Sequence, residues 1–183
     1  MKKKTIILAA IIIVLILGGF WLYARKPATY GPNPAGNSVL DPRNATYTIE
    51  GRGVRFQNGR AEQEIVPGSA SKIVTSIFGE PVIGTIDGKK VAAVMLTQTT
   101  GGTGTFYYVA AAVEVVGGMT AGTNAILLGD RIAPQNVEIK TNEIIANYAA
   151  RKPGEPFSAS PSVGVSKYIV LDPATFALSE RRN

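Results

Sequence analysis

Two glutamates of the chain have a spacing that could support hydrolysis of a glycosidic bond. Glu62 and Glu64 are two residues apart in an alternating segment, so both carboxylates are expected on one face of a strand. Glycosidases place two carboxylates about 5–9 Å apart, which this spacing allows. The same pattern is typical of the solvent-exposed face of an edge strand, and we favour that interpretation.

A serine and a lysine three residues apart could form a nucleophile and its base. Ser69-Ala-Ser-Lys72 matches the S-x-x-K motif of penicillin-recognising enzymes, which also carry S-x-N and K-T-G elements on a larger α/β scaffold. Neither element follows, so we favour a helix start with Ser69 as N-cap and Lys72 in solvent. Other serine–lysine pairs stay open, because partners meet in space. Such a pair would need one of these lysines to be buried and neutral: Lys72, Lys89, Lys90, Lys140, Lys152 or Lys167.

A glycine-rich segment is followed by three aromatic residues. Thr97–Thr105, TQTTGGTGT, lacks the Gly-Lys-Ser/Thr ending of a phosphate-binding loop and links two predicted strands. We interpret it as a flexible hairpin tip, a place where binding function often lies. Phe106, Tyr107 and Tyr108 alternate between strand faces, and we favour core packing over a ligand platform for them.

A Pro-rich segment forms the longest predicted loop of the domain. Arg151–Pro161 is long for a compact fold. Three aromatic residues lie near it in the sequence and could frame a groove with it: Tyr148, Phe157 and Tyr168.

The missing residue types limit the chemistry. The 183 residues include no His and no Cys. Imidazole bases, thiol nucleophiles, zinc sites with thiolate or imidazole ligands, disulfides and acylation of a Cys are therefore excluded. We assign no catalytic, cofactor-binding or metal-binding residue and expect no cofactor.

One segment resembles a known calcium loop. A degenerate form of the FG-GAP/VCBS-type pattern G-D-x-N-G-D-G-x-x-D-A-A-V resembles the segment Gly84-Thr-Ile-Asp-Gly-Lys-Lys-Val-Ala-Ala-Val94. Thr85 and Val91 stand where the first and last Asp would be, and only Asp87 matches. Calcium takes six or more oxygen ligands, so the resemblance implies a similar loop-to-strand geometry without a metal site.

The first part of the chain predicts a membrane anchor. Residues 1–4 form a cationic start, and residues 5–23 carry no charge, which gives a helix of roughly 28 Å. Trp21 and Tyr23 suit the membrane interface. A cleaved signal peptide is the alternative, but it usually has a shorter apolar region and a small-residue cleavage site. In its general organisation the chain resembles uncharacterised bacterial envelope proteins with a single N-terminal anchor.

The positive charge belongs mostly to the flanks of this anchor. Removing the five flanking cations leaves 14 of 19 basic residues against 13 acidic ones, so the rest of the chain is nearly neutral and no nucleic acid is expected as a partner. The bias favours a cytoplasmic N-terminus and a domain that is periplasmic or extracellular. The flanking cations are Lys2, Lys3, Lys4, Arg25 and Lys26.

The remaining residues are predicted to form a tether and one β-rich domain. Residues 24–44 are rich in Pro and Gly, residues 45–178 form the domain, and residues 179–183 are expected to fray. Ser71–Phe78 fits either a short helix or a strand, and its apolar residues at i, i+1, i+4 and i+5 favour one or two helical turns. Five strand features are predicted: a hairpin at Asn58-Gly59, a turn at Asp87-Gly88, a central hairpin of Val91–Gln98 with Thr105–Val116, a later hairpin of Val137–Lys140 with Ile144–Ala149 around Thr141-Asn-Glu, and a closing strand at Lys167–Leu171.

The predicted fold is mainly β, with α+β possible. We expect an antiparallel curled sheet or partial barrel with one or two short helices, preceded by one N-terminal transmembrane helix; a sandwich is the alternative. The residue types favour a non-enzymatic protein that binds a ligand or partner, such as a protein or glycan of the cell envelope. Alternatives are a His-free hydrolase of cell-wall material and an accessory subunit of a membrane complex.

Overall fold

The computed structural model of the protein describes residues 40–181. The predicted cationic start, the transmembrane segment 5–23 and most of the tether lie outside the described residues. Within 40–181, no helix is long and apolar enough to cross a membrane.

Residues 40–181 form twelve strands and one 3-10 helix, Pro42–Asn44. All pairs of these strands are antiparallel, so the prediction of a mainly β fold is confirmed. The strands are β1 (Thr46–Ile49), β2 (Arg52–Arg55), β3 (Arg60–Glu64), β4 (Lys72–Ile86), β5 (Lys89–Thr99), β6 (Phe106–Val115), β7 (Met119–Gly122), β8 (Ile126–Asp130), β9 (Ala133–Lys140), β10 (Glu143–Ala150), β11 (Val163–Leu171) and β12 (Leu178–Glu180).

The strands divide into three sheets rather than one. A large sheet has the order β3-β4-β5-β6-β7, with β8 also paired to β6; a second sheet has the order β12-β11-β10-β9, and β1 and β2 form a two-stranded sheet. β1 is also bridged to the segment after β7, because the Thr48 amide donates to the Thr123 carbonyl at 3.0 Å and the Ala125 amide donates to the Thr48 carbonyl at 2.8 Å. One face of the large sheet packs on the second sheet, and the other face packs on β1 and β2.

The central hairpin β5–β6 explains the stacking. Alternate residues enter two cores: Val91, Ala93 and Met95 face the second sheet, whereas Ala92 and Val94 face β1 and β2. Because side chains alternate along a strand, a strand covered on both faces must be apolar throughout. The two continuous apolar runs of the sequence therefore become the middle layer, and their small alanines let the outer layers approach closely.

The prediction of a short helix at Ser71–Phe78 is wrong. Lys72–Ile86 forms β4, which pairs with both β3 and β5. Ile77 packs on the core that faces β1 and β2, while the ring of Phe78 packs edge-on against Tyr107 at 6.1 Å between centroids. Adjacent apolar residues thus pack on opposite faces of the same strand. Because both faces are covered, the apolar residues have a spacing that is also found on one side of a helix.

The tight-turn dipeptides are mostly placed as predicted. Asp87-Gly88 joins β4 to β5, with φ angles of 47° and 74°, and Thr141-Asn142 joins β9 to β10. Asn58-Gly59 also forms a two-residue turn, with mutual backbone hydrogen bonds between Gln57 and Arg60. However, β2 and β3 on either side of it belong to different sheets, so a predicted hairpin is here a corner between layers.

Both predicted domain boundaries shift outward. Leu40 and Pro42 are buried, so the last residues assigned to the tether pack on the domain. Leu178–Glu180 forms β12 and pairs with β11, so residues 179 and 180 belong to a sheet rather than to a frayed tail.

The two ends of the stacked sheets carry different loops. At one end lie the Asp87-Gly88 turn and the β6–β7 turn, and Leu40 enters there, because the neighbouring Asp41 amide donates to Thr120 Oγ1 at 3.0 Å. We call this the N-terminal end. The opposite end carries the β5–β6 loop and residues 151–162 between β10 and β11, and we call it the loop end.

Candidate functional site

The loop end is organised around the backbone of Arg131, in the short link between β8 and β9. Arg131 has φ of 48°, in the left-handed region that few non-glycine residues adopt. Its amide donates to the Thr105 carbonyl at 2.7 Å. This bond joins the link to the end of the glycine-rich β5–β6 loop.

Asp130 strengthens the same junction. Its carboxylate accepts from the Thr105 amide at 3.0 Å and from the Arg131 side chain at 2.8 and 3.1 Å. The hydrogen bond from Arg131 is the largest cause that lowers the pKa of Asp130 below its usual value, with the Thr105 amide adding to it. Asp130 therefore stays ionised and fixes the direction of the Arg131 guanidinium.

Arg151 folds the long loop around its own guanidinium. It donates to three backbone carbonyl oxygens: Ala159 at 2.5 Å, Arg131 at 2.9 Å and Phe157 at 3.2 Å. Charged donors make the stronger hydrogen bonds of proteins. The loop predicted from its prolines thus has a defined shape and is tied to the β8–β9 link.

These contacts display the ring of Phe157. Phe157 is 62% exposed, and the Arg131 guanidinium carbon lies 3.9 Å from its ring centroid, with that of Arg151 at 5.7 Å. Stacked Arg and aromatic side chains attract each other and recur among the residues that dominate protein interfaces. We call Phe157, Arg131 and Arg151 the Phe157 surface.

The predicted aromatic groove does not form. Of the three residues named for it, only Phe157 lies on the loop surface. Tyr148 is buried between the sheets, where burial raises its pKa. Tyr168 lies on the outer face of β11, under the Arg181 guanidinium at 4.3 Å from its ring centroid.

The two glutamates lie on one face of edge strand β3, but each is engaged separately. Glu62 binds Arg60 at 2.9 Å and Lys72 at 3.1 Å, and these hydrogen bonds, that of Arg60 first, lower its pKa. Glu64 accepts from the Gly68 amide at 2.8 Å. A lowered pKa is the opposite of what a general acid needs, so this pair fits the solvent-exposed edge interpretation.

The serine–lysine motif is not on a helix. Ser69 Oγ accepts from the Ser71 amide at 3.1 Å, so it stabilises the turn before β4. Lys72 opens that strand, is half exposed and is bound to Glu62. A half-exposed lysine paired with a carboxylate is not the buried lysine that this motif needs for catalysis.

The other candidate lysines differ in burial. Lys167 is the least exposed of those in salt bridges, yet it binds Glu180 at 3.2 Å and the Leu127 carbonyl oxygen at 3.2 Å. Lys140 is paired with Glu138. The remaining three lie in β5 or in the long loop, and Lys89 also packs over a Phe176 ring; they are Lys89, Lys90 and Lys152.

The glycine-rich segment and its aromatic residues divide between sheet and loop. Thr97 and Gln98 belong to β5, and the exposed tip lies beyond Thr99. Tyr108 is buried and donates to Glu50 at 2.8 Å; burial, followed by this hydrogen bond, raises its pKa. Tyr107 and Phe106 each pack at the border of a core, so core packing describes all three aromatics.

The segment similar to a calcium loop is a β-hairpin closed by a two-residue turn. Asp87, its single matching carboxylate, accepts from the Asn142 side-chain amide, and the Asp87 amide donates back to Asn142 Oδ1 at 3.3 Å. The turn of one sheet is thus joined to the turn of the other. Among the described residues, no group of three or more acidic side chains is placed to hold a metal ion.

Comparison with known proteins adds no relative. No family model matches the chain, and no match was found among curated proteins or solved structures.

Sequence reasoning missed Arg131 and Arg151 as site residues. Arg151 reaches the Arg131 carbonyl across 20 residues of sequence, and the Arg131 amide reaches the Thr105 carbonyl. No local spacing encodes these two contacts, although those of Arg151 with Phe157 and Ala159 are local. A weak signal was present, because Gly129-Asp130 predicts a turn and Arg151 precedes the Pro-rich loop.

The Asp130 carboxylate should make the order of the loop end depend on pH. Its folded pKa is lowered, so the stabilisation is present above the usual value of 3.8 and is lost as pH falls through the folded pKa. We expect hydrogen exchange of the Thr105 amide, corrected for its intrinsic pH dependence, to accelerate at pH 3 relative to pH 6. In Asp130→Asn the exchange should be fast at both values. Equal pH profiles for the two proteins, with β10 protected throughout, would contradict this role.

Proposed function

We propose that the chain is a membrane-anchored protein of the cell envelope whose extracytoplasmic domain binds a protein partner through the Phe157 surface. The observation that carries the proposal is the placement of this surface. It lies at the loop end, whereas Leu40 joins the preceding chain at the N-terminal end. A domain held by residues 5–23 would therefore present the Phe157 surface to partners away from its attachment.

The chemistry of the surface suits a protein partner. An exposed aromatic ring backed by arginine is typical of the few residues that supply most binding energy in protein interfaces. Asp130 neutralises Arg131, and Arg151 directs its donors to backbone carbonyls. The charge of Arg131 is thus compensated, and both guanidinium groups are already engaged in hydrogen bonds within the protein. This favours contact through the exposed ring over binding of a polyanion.

The rigidity of the surface supports the same function. The Arg151 contacts and a hydrogen bond from the Lys152 amide to Glu155 at 2.9 Å shape residues 151–162 before any partner arrives. Binding then costs little ordering of the loop. The left-handed Arg131 is consistent with this, because strained backbone is often found at functional positions.

A glycan partner is the nearest alternative, since an exposed ring also stacks on sugars. If the protein partner belongs to a membrane complex, the chain acts as an accessory subunit of that complex. Within residues 40–181, no arrangement of the Glu62–Glu64 or Ser69–Lys72 pairs favours the hydrolase alternative.

Photocrosslinking in cells that produce the full chain tests the proposal. A photoreactive residue at position 157 should give one discrete protein adduct, while the same residue at exposed position 55 in β2 should not. Arg131→Gly relieves the backbone strain and keeps both backbone hydrogen bonds, but it removes the stacking, so the adduct should fall at least tenfold. An adduct equal at both positions, or one that survives protease but not a glycan-degrading enzyme, would contradict a protein partner.

A further inference from the structure

The β6–β7 turn displays two apolar side chains to solvent. Val116 is 94% exposed and Met119 is 65% exposed. Exposed turn positions are normally taken by Gly, Pro, Asn, Asp or Ser, and a β-branched apolar residue there has no packing role. Val116 is therefore unusual for a turn that only joins two strands, and Met119, the first residue of β7, adds a second exposed apolar side chain beside it.

The turn is also fixed in shape. Gly117 and Gly118 have φ of 82° and 72°, and the Gly118 amide closes the turn on the Val115 carbonyl at 3.1 Å. A Cβ built on Gly117 would meet nothing within 4 Å, so the tip projects into open space. The two apolar side chains are held outward. We call residues 116–119 the apolar tip.

The apolar tip lies where the chain enters the domain. Thr120, next to Met119, accepts the hydrogen bond from the Asp41 amide. Sixteen residues separate position 23, the end of the predicted anchor, from Leu40. At about 3.1 Å per residue they extend at most about 50 Å, so the N-terminal end can lie directly on the membrane surface.

Charged residues of both signs lie near the apolar tip. Lys89 and Lys90 begin β5 beside the end of β6, as the pairing of Val91 with Val113 requires. Asp87 precedes these lysines in the β4–β5 turn, and Glu114 lies two residues before Val116 in β6. Long lysine side chains reach lipid phosphates while apolar side chains lie deeper, so the contact depends on the apolar side chains and not on an excess of positive charge.

We propose that the apolar tip inserts into the interface of the bilayer that holds residues 5–23. The inference rests on the proposed anchoring. Two apolar side chains bind a bilayer only weakly, but an anchored domain meets the surface at a high effective concentration. Insertion would orient the domain, and β5, eleven residues long, would raise the loop end by roughly 36 Å at about 3.3 Å per residue.

Single-cysteine labelling of the full chain tests insertion, because the chain has no Cys of its own. Val116→Cys and the control Gly102→Cys are each labelled with an environment-sensitive fluorophore and reconstituted into anionic vesicles. Gly102 lies at the loop end and is a suitable control, since a Cβ there meets nothing within 4 Å. Lipids brominated near the headgroup end of the acyl chain should quench the label at 116 at least threefold more than the label at 102.

Three outcomes separate this inference from the proposed function. Vesicle flotation of the full chain with selective quenching at 116 supports insertion. Flotation with equal quenching at the two positions overturns insertion and leaves the anchor in place. A chain that does not float with vesicles overturns both. Met119→Asp, with the label at 116, should reduce the quenching to the level at position 102. This result would exclude insertion that is caused by the fluorophore itself.

Discussion

Gly122→Ala should be among the most destabilising single substitutions in the domain. An added Cβ would lie far inside van der Waals contact with the Thr46 carbonyl oxygen and 2.8 Å from its carbon. Both neighbours are backbone, so no side chain can rotate away, and β1 would have to separate from β7. Overpacking usually costs about 1–3 kcal/mol, and we expect a loss at or above the upper end of that range.

Two other glycines provide matched controls for this expectation. Gly53 in β2 would place its Cβ 4.0 Å from the Thr46 methyl group, and Gly164 in β11 would meet nothing within 4 Å. Neither has a positive φ, so alanine should be tolerated at both. Urea unfolding of the full chain in detergent, followed by circular dichroism, measures all three. A Gly122→Ala midpoint equal to that of Gly53→Ala would contradict the close approach of β1 and β7.

Tyr47→Ala should have a comparable effect through a cavity. Tyr47 is fully buried, its ring packs edge-on against Phe56 at 5.2 Å between centroids, and its hydroxyl donates to the Pro42 carbonyl at 2.7 Å. Removal of a large buried ring costs about 3–5 kcal/mol. That is a large part of the total stability of an ordinary domain.

Tyr47→Phe separates the ring from the hydroxyl. The ring stays, while the buried Pro42 carbonyl loses its donor, so we expect a loss of about 1–3 kcal/mol. Unfolding curves of the two variants give the difference, and hydrogen exchange should show the loss in Tyr47→Phe concentrated in residues 40–44. A Phe variant as unstable as the Ala variant would show that the hydrogen bond, and not the packing, dominates.

The sequence predicted those parts of the fold that depend on neighbours in the chain. The central hairpin follows from two apolar runs, and the turns at Asp87-Gly88 and Thr141-Asn142 follow from Asp87, Gly88 and Asn142, which tolerate positive φ. These signals are local, since a turn and its flanking strands are continuous in sequence. For the same reason the mainly β class was predictable, while the transmembrane helix and the details of function stay predictions.

The remaining parts depend on contacts between distant segments. β4 has the spacing of a helix, and only its pairing with β3 and β5 makes it a strand. β12 is short and polar, and it is fixed by the Asn124 side chain, which bonds the backbone of Leu178 at 2.6 and 3.0 Å. The Phe157 surface is of the same kind, because Arg131 and Arg151 meet through the fold. The spacing of residues along the chain does not predict such long-range contacts.

The proposed function requires that the domain lies outside the membrane to which residues 5–23 are predicted to attach it, with the loop end accessible to partners. Labelling with a membrane-impermeant maleimide measures this in cells whose cytoplasmic membrane is intact. The full chain with Gly102→Cys should react before lysis, and the full chain with Lys3→Cys should react only after lysis. Reaction at position 102 only after lysis would place the domain inside the cell and contradict the proposed function.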